Sequence, residues 1–474
     1  MAKVLFVQDA LYESFGPQYM SAVAKQGGHD VDMFILSADG DKNFASTLRK
    51  MQPDITAFSI TSFGFKWAID AAKEAKETVK TLTVFGGAHP TFAPEFIKQH
   101  PYIDLACKGE GEGAFLDVCN AVDAGSDLSD IANMTIHDGN GGLKRNELRP
   151  LVVDLDTIPY ADRTLHFKYR TLRELPYKRF MAGRGCPYKC TYCFNLAQAE
   201  MYDGLGKYVR YRTPENLIEE ILQVKSKYGI GTVGFIDDTF TTNRKWLLRF
   251  LEIYRQEVKL PFTCLVRANE LKEHVAEALG QSGCRYVSFG IEVGNEQIRN
   301  NILARHMTDE QIRTAAQLMH KHGVKFLTYN MFGAPGETLN DGLQTIRLNA
   351  EIGTDLVGAS VFQPLIGTES FDYCQREGYL DPDFKVEDFD SITVDSPLKK
   401  MPDLKYLVRL QKIAFLGIYW PKLIPFLGRI VKVPLDPLFS LAYKTSMVMR
   451  FKLRFGLSMM DVVKLGVRAR GRFG

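Results

Sequence analysis

Three cysteines stand within eight positions in the segment Arg184-Gly185-Cys186-Pro187-Tyr188-Lys189-Cys190-Thr191-Tyr192-Cys193-Phe194-Asn195, spaced Cys-x3-Cys-x2-Cys. Close thiolates on one loop ligate a soft metal or an iron–sulfur cluster. Gly185 and Pro187 suit a tight loop with little bulk beside the sulfurs. A structural zinc site usually closes with four ligands. Here no fourth Cys or His lies nearby, which leaves one position open, as chemistry at a cluster requires. A zinc site closed by a distant residue and chance proximity of buried cysteines are the bland alternatives. The other five cysteines (Cys107, Cys119, Cys264, Cys284, Cys374) are scattered. Eight in 474 residues are too few for a disulfide scaffold, and a reducing cytosol is the expected compartment.

Further polar residues fall where apolar runs end. Asp237-Asp238 follows one run, and two adjacent acids at a strand end suit an ammonium group or a helix N-terminus. Arg267 follows the next. Glu292 lies in Phe289-Gly290-Ile291-Glu292-Val293-Gly294, and Met331-Phe332-Gly333-Ala334-Pro335-Gly336-Glu337-Thr338 ends a later run. In the first quarter of the chain the corresponding residues are Thr61-Ser62, Gly86-Gly87-Ala88-His89-Pro90-Thr91 and Gly109-Glu110-Gly111-Glu112. None forms a GxGxxG dinucleotide fingerprint.

The elements that must position these residues alternate between strand and helix. Lys3–Gln8, Val31–Leu36, Ile55–Ile60, Thr81–Phe85 and Ile103–Lys108 read as strands, with helix-length stretches such as Phe65–Lys80 between them. Such alternation predicts βαβ units and a parallel sheet, which binds ligands at its carboxyl edge. Residues 1–145 form this first, Rossmann-like domain, ending in a Gly- and Asn-rich hairpin, and 146–174 read as a linker. Alternation resumes over 175–390 with six predicted strands: Arg179–Ala182, Thr232–Ile236, Phe262–Val266, Tyr286–Ile291, Lys325–Phe332 and Leu356–Phe362. Six suit a partial (β/α)6 barrel better than a full eightfold one. Residues 391–474 read as a basic α-helical region. The fold class is therefore α/β, with two αβ domains and a helical C-terminus.

The cysteine motif just after the first barrel strand resembles that of the radical S-adenosylmethionine (SAM) enzymes. The resemblance implies a [4Fe–4S] cluster on Cys186, Cys190 and Cys193, with SAM chelating the fourth iron and being cleaved to a 5′-deoxyadenosyl radical. It also implies SAM contacts by Tyr192 (adenine), Asp237 and Asp238 (amino group), Arg267 (carboxylate) and Glu292 (ribose). A Rossmann-like domain in front of such a barrel resembles the cobalamin-binding subgroup. That implies cobalamin contacts at Thr61, Ser62, Gly86, Gly87, His89, Glu110 and Glu112. One departure stands out: the loop Gln8-Asp9-Ala10-Leu11-Tyr12-Glu13-Ser14-Phe15-Gly16 lacks the histidine of the DxHxxG cobalt-binding pattern. The most frequent chemistry in the subgroup is methylation at an unactivated carbon. Oxidative cyclisation or rearrangement is the alternative among enzymes, and a non-catalytic iron–sulfur or cobalamin sensor the alternative outside them. A small or lipid-like substrate and an external electron donor such as flavodoxin or ferredoxin are the implied partners.

Charge adds a separate signal. The chain carries a formal charge of +3, which argues against a nucleic-acid binder. Yet Lys399–Gly474 holds 16 Lys and Arg against 3 Asp and Glu, and the remainder holds 43 against 53. Lys405, Arg409 and Lys412 share one predicted helix face, with Leu404, Leu407, Val408 and Phe415 opposite. This pattern fits a helix lying on an anionic membrane, a cap packed on the barrel, or a surface for nucleic acid or another partner. The start of the chain is too short in apolar residues for a secretory signal. A cytoplasmic enzyme, with peripheral contact to the inner membrane face, is expected.

Overall fold

A computed structural model of the chain describes residues 1–40, 43–62, 65–385, 395–460 and Val462. The first five strands are β1 (Lys3–Gln8), β2 (Asp30–Ile35), β3 (Ile55–Ser59), β4 (Leu82–Gly86) and β5 (Leu105–Cys107). They form a parallel sheet in the order β2-β1-β3-β4-β5, extended antiparallel by the hairpin β6 (Met134–His137) and β7 (Leu143–Arg145). Helices cover both faces, so the parallel strands are buried nearly end to end. The chain reverses its direction of winding between β1 and β3, and in such sheets ligands settle in the crevice at that point.

The second sheet is wholly parallel, in the order β15-β14-β13-β12-β11-β8. Its strands are β8 (Tyr177–Phe180), β11 (Thr232–Phe235), β12 (Phe262–Leu265), β13 (Cys284–Glu292), β14 (Lys325–Phe332) and β15 (Leu356–Val361). The pair β9 (Gly183–Arg184) and β10 (Arg210–Tyr211) sits outside it and brackets the cysteine loop. All six strands expected of a partial barrel are present. The helix Pro214–Tyr228 begins as its sequence predicts, with the Thr213 side chain accepting from the Asn216 amide and Pro at the first helical position.

The segment read as a linker is not a loose connector. Leu155, Leu165, Phe167 and Leu172 are buried, the last three in the core of the first domain. His166, fully buried, reaches under the loop after β1: its ring nitrogens lie 3.2 Å from Gln18 Nε2 and 3.3 Å from Gln8 Oε1. Lys178 of β8 donates to the carbonyls of Leu172 and Arg173 at 3.0 and 2.7 Å, which ties the segment to the barrel.

The C-terminal helices Leu404–Tyr419, Ile424–Ile430 and Asp436–Phe455 pack on the barrel's last strands. The edge strand β15 leaves carbonyls without a ladder partner, and side chains from these helices supply the donors. Gln411 Nε2 and the Tyr443 hydroxyl donate to the Ala359 carbonyl at 2.7 and 3.2 Å, and Arg450 donates to that of Val357 at 3.2 Å. At the far end of the last helix, Phe455 packs on Tyr177 of β8 with centroids 4.5 Å apart. The helix thus spans the gap between the barrel's last and first strands. This corrects part of the charge pattern: Lys412 is buried, Arg409 pairs with Asp436 at 2.7 Å, and Arg450 and Arg454 point inward. Residues 391–394, 461 and 463–474 of the basic region lie outside the described residues.

Burial pushes the His166 ring down to about 3, with the nearby Arg163 charge adding to the effect. Below pH 6.5 the unfolded chain takes up a proton that the folded ring refuses, so stability falls on acidification by up to about 1.4 kcal/mol per pH unit. A His166→Gln variant is expected to flatten that part of the profile, measured by denaturant melts between about pH 6.5 and 4.

Candidate functional site

The cysteine loop runs from β9 into the helix Phe194–Met201, at the carboxyl end of the first barrel strand. Gly185 takes a left-handed φ of 82°, which turns the chain into Cys186. Cys190 is buried, while Cys186 and Cys193 are partly exposed. Among the described residues no three Cys, His, Asp or Glu side chains could share one metal ion. A four-iron cluster instead takes one sulfur at each of three different irons, so the three thiols fit it better than a single zinc. Burial raises the Cys186 thiol to about 11, so without a cluster it stays protonated.

Two guanidinium groups face Cys190. Arg267 Nη1 lies 3.6 Å from its sulfur and Arg305 Nη1 lies 3.8 Å away. The Arg267 guanidinium stacks on the Tyr188 ring at 3.8 Å and donates to the Arg305 carbonyl. Arg305 also donates to the Tyr192 hydroxyl at 3.0 Å and to the Gly290 carbonyl at 2.6 Å. The Tyr192 hydroxyl in turn donates to Glu292 Oε1 at 3.1 Å. Glu292 ends its strand at a left-handed φ of 68°, an unusual backbone that turns its carboxylate toward the loop. Burial raises that carboxyl, while the Arg305 charge and the Tyr192 hydrogen bond oppose the shift. Two cations beside one sulfur are the complement of an anionic, thiolate-ligated cluster. Tyr192, Arg267 and Glu292 are thus brought together.

The two adjacent acids separate in role. Asp237 is buried and accepts from the amides of Ala182 and Gly183 at 3.0 and 2.6 Å, so it fixes the turn into the cysteine loop. The ammonium-binding expectation for Asp237 does not match this engagement. Asp238 is exposed at the site, next to Asn195, which donates to the Cys193 sulfur at 3.6 Å.

In the first domain, Thr61 and Ser62 follow β3, Gly86 ends β4, and Gly87 to His89 follow it. The Ser62 hydroxyl and both His89 ring nitrogens are buried without a hydrogen-bond partner among the described residues. Unanswered polar atoms at this strand edge fit a ligand with a hydrogen-bonding periphery, as a cobalamin tail has. His89 itself is held between Phe65 and Phe96, with centroids 4.2 and 4.7 Å apart, and burial lowers it to about 4. Gly87 takes φ 102°, and a Cβ there would collide with the Ile60 carbonyl. Its smallness allows two strand ends to approach closely.

Glu110 and Glu112 are engaged elsewhere than expected. Arg184, two residues before Cys186, contacts Glu112 at 2.5 Å and Glu110 at 3.1 Å. Arg210 of β10 pairs with Glu110 as well. Burial would raise the Glu112 carboxyl, but the Arg184 charge against it brings it below its ordinary value. The Glu110 amide donates to the Tyr202 hydroxyl at 2.7 Å, and Gly109, at φ 76°, has no room for a Cβ beside that hydroxyl. On the other side of the loop Phe92 stacks on Phe194 at 4.6 Å with ring planes 8° apart. The first domain therefore grips the cysteine loop on both flanks. A second chain of charges, Glu13–Arg163–Glu220–Arg212, with contacts of 3.3, 2.9 and 2.5 Å, lies buried behind it.

Sequence reasoning missed Arg305, Arg184, Arg210, Phe92, Phe194 and Tyr202. For Arg184 and Phe194 a signal existed, since both adjoin the cysteine motif. For the rest none did, because their roles arise only from contact between domains or distant loops.

Comparison with known proteins accords with this geometry. Residues 181–348 match the radical SAM superfamily and residues 5–118 match the B12 binding domain. The chain is 30% identical over 404 residues to an uncharacterized methyltransferase of Pyrococcus horikoshii, covering 81% of this chain and 86% of that one. It is 24% identical over 405 residues to the anaerobic magnesium-protoporphyrin IX monomethyl ester cyclase of Rubrivivax gelatinosus, covering 81% and 69%. Its fold is that of the cobalamin-dependent SAM radical enzyme OxsB, with a TM-score of 0.68, 16% identity and coverage of 99% of this chain and 75% of that one. The chain belongs to the cobalamin-dependent radical SAM methyltransferase family. It is a radical SAM enzyme whose cofactors are a [4Fe–4S] cluster, SAM and cobalamin.

Breaking the buried grip is expected to be costly. Glu112→Leu leaves Arg184 short of a partner and should cost about 3 kcal/mol. Glu112→Leu with Arg184→Met should cost clearly less than the two single changes added together, read by urea melts as a double-mutant cycle.

Proposed function

We propose that this enzyme transfers a methyl group to an unactivated carbon of a small or lipid-like molecule. The observation that supports it is the grip of Glu110, Glu112 and Phe92 on the two flanks of the cysteine loop. A substrate between the domains would meet both cofactors. When bound, the cluster supplies the electron that cleaves SAM and cobalamin supplies the methyl group.

The chain's own residues divide the remaining work. Cys186, Cys190 and Cys193 would hold the cluster. Arg267 and Arg305 set two cations at the Cys190 sulfur, where they would meet the SAM carboxylate. Asp238 would take the SAM ammonium, and Tyr192 with Glu292 the adenosine. Thr61, Ser62, Gly86 and His89 would contact cobalamin. Glu110, Glu112 and Gly87 would serve it indirectly, by shaping the domain's strand ends and holding them to the loop. The partners in this reading are an external one-electron donor such as flavodoxin or ferredoxin and, through the C-terminal helices, the inner face of the cytoplasmic membrane.

A second reading, radical cyclisation or rearrangement, is supported by the cyclase relative. The products separate the two. Anaerobic reconstitution with iron, sulfide and hydroxocobalamin should give about four irons and one cobalamin per chain. With reductant and substrate, methyl transfer yields both 5′-deoxyadenosine and S-adenosylhomocysteine; a cyclase yields no S-adenosylhomocysteine, and a sensor yields neither. Cys190→Ala should abolish SAM cleavage while cobalamin still co-elutes, because its contacts lie in the other domain.

A further inference from the structure

The helix Asp436–Phe455 packs Phe439 and Phe455 inward but otherwise departs from an ordinary surface helix. Its inward side carries Tyr443, Arg450 and Arg454, spaced seven and four apart, which bond to Ala359, Val357 and Tyr329 of the barrel. Its outward side carries Leu438, Leu441, Val448 and Met449, exposed by 58%, 62%, 37% and 44%. The barrel's open edge explains the inward polar groups. It does not explain the apolar ones left in water.

The turn and short helix that precede it in the chain carry further exposed apolar side chains. Trp420 and Phe426 are 57% and 53% exposed. Fifteen of the twenty exposed large apolar side chains among the described residues lie between Tyr419 and Met460. Single exposed apolar residues are ordinary, but a contiguous stretch of this density marks a site that something covers. Charge identifies what covers it. Lys422, Arg429, Lys432 and Lys444 are exposed among these residues. The one acid between residues 419 and 460 is Asp436, which is held by Arg409 at 2.8 and 2.7 Å. No described helix is long and apolar enough to cross a membrane. Apolar side chains ringed by lysine and arginine, with an indole among them, match the boundary between headgroups and acyl chains.

We infer that the outward face of residues 419–453 docks on an anionic lipid bilayer, with Trp420, Phe426, Leu438 and Leu441 entering it and Lys422, Arg429 and Lys432 meeting the headgroups. This gives residues to the membrane contact included in the reading above and rests on it. It needs no part of the cofactor chemistry, so the two fail separately.

The test uses the full-length chain, since truncation would open the barrel. The protein is floated with vesicles of phosphatidylcholine alone and with about a third phosphatidylglycerol. It should rise with the anionic vesicles and not with the neutral ones. Trp420 is the only exposed tryptophan of the three, with Trp67 half-buried and Trp246 buried, so emission should shift to the blue on binding and the shift should vanish in Trp420→Phe. Lys422→Gln, Arg429→Gln and Lys432→Gln together should weaken partition by more than tenfold, at roughly fivefold per charge. Leu438→Ser with Leu441→Ser should weaken it for both salt-free and salted samples, and neither set should change the melting transition. Absence of binding to anionic vesicles overturns the proposal. So does a dimer in light scattering that Leu438→Ser with Leu441→Ser converts to monomer, which would assign the face to a second copy.

Discussion

The enzyme depends on one contact, the ion pairs of Glu110 and Glu112 with Arg184 and Arg210. Radical transfer and methyl transfer on one substrate require two large cofactors held at a fixed distance, although they sit in separate domains. A hydrophobic interface alone could slide by a side chain's width at little cost. Charges taken out of water cannot, because each displacement leaves a buried ion without its partner. Arg184 lies in the short strand that opens the cysteine loop, so the contact acts directly on the cluster's position. Phe92 against Phe194 does the same on the far flank, and the buried Glu13–Arg163–Glu220–Arg212 chain repeats the logic farther back.

The two halves of the site differ in electrostatic character. Around the cysteines the chain concentrates cations: Arg267 and Arg305 face one sulfur, and each is further tied to backbone carbonyls. The strand ends of the first domain present neutral groups instead, a hydroxyl at Ser62 and an unprotonated ring at His89. The first character suits an anionic cluster, and the second suits a neutral, amide-rich ligand. The loop after β1 carries no histidine. His166 reaches that loop, but its nitrogens are spent on Gln8 and Gln18 within the core.

A six-stranded barrel is open at its side, and the C-terminal helices deal with the consequence. Carbonyls of β15 receive hydrogen bonds from Gln411, Tyr443 and Arg450, and Phe455 reaches across to β8. Several basic residues are therefore structural, and apart from Phe439 and Phe455 most large apolar side chains of the last helix are turned outward. Closing the barrel and building an external apolar face are two results of one helix orientation.

Much of this was legible in the sequence, for reasons of range. The cysteine spacing is a local chemical statement, and it pointed to the radical SAM superfamily that residues 181–348 match. Alternating apolar runs marked all eleven parallel strands along the chain, because strand burial leaves a local signature, while their order within each sheet came from the fold. The Thr213 cap was readable on the same ground. What stayed hidden depends on contacts between residues far apart. Glu110 and Glu112 look like ligand-binding acids until Arg184, more than seventy positions on, is brought against them. Asp237 and Asp238 are equivalent in sequence, yet burial against the 182–183 amides commits one and leaves the other open. Arg450 reads as a surface charge until the missing neighbour of β15 gives it a partner. Residue type and spacing determined which chemistry the chain carries; desolvation and long-range pairing, which exist only in the folded molecule, decided which residues perform it and which hold it in place.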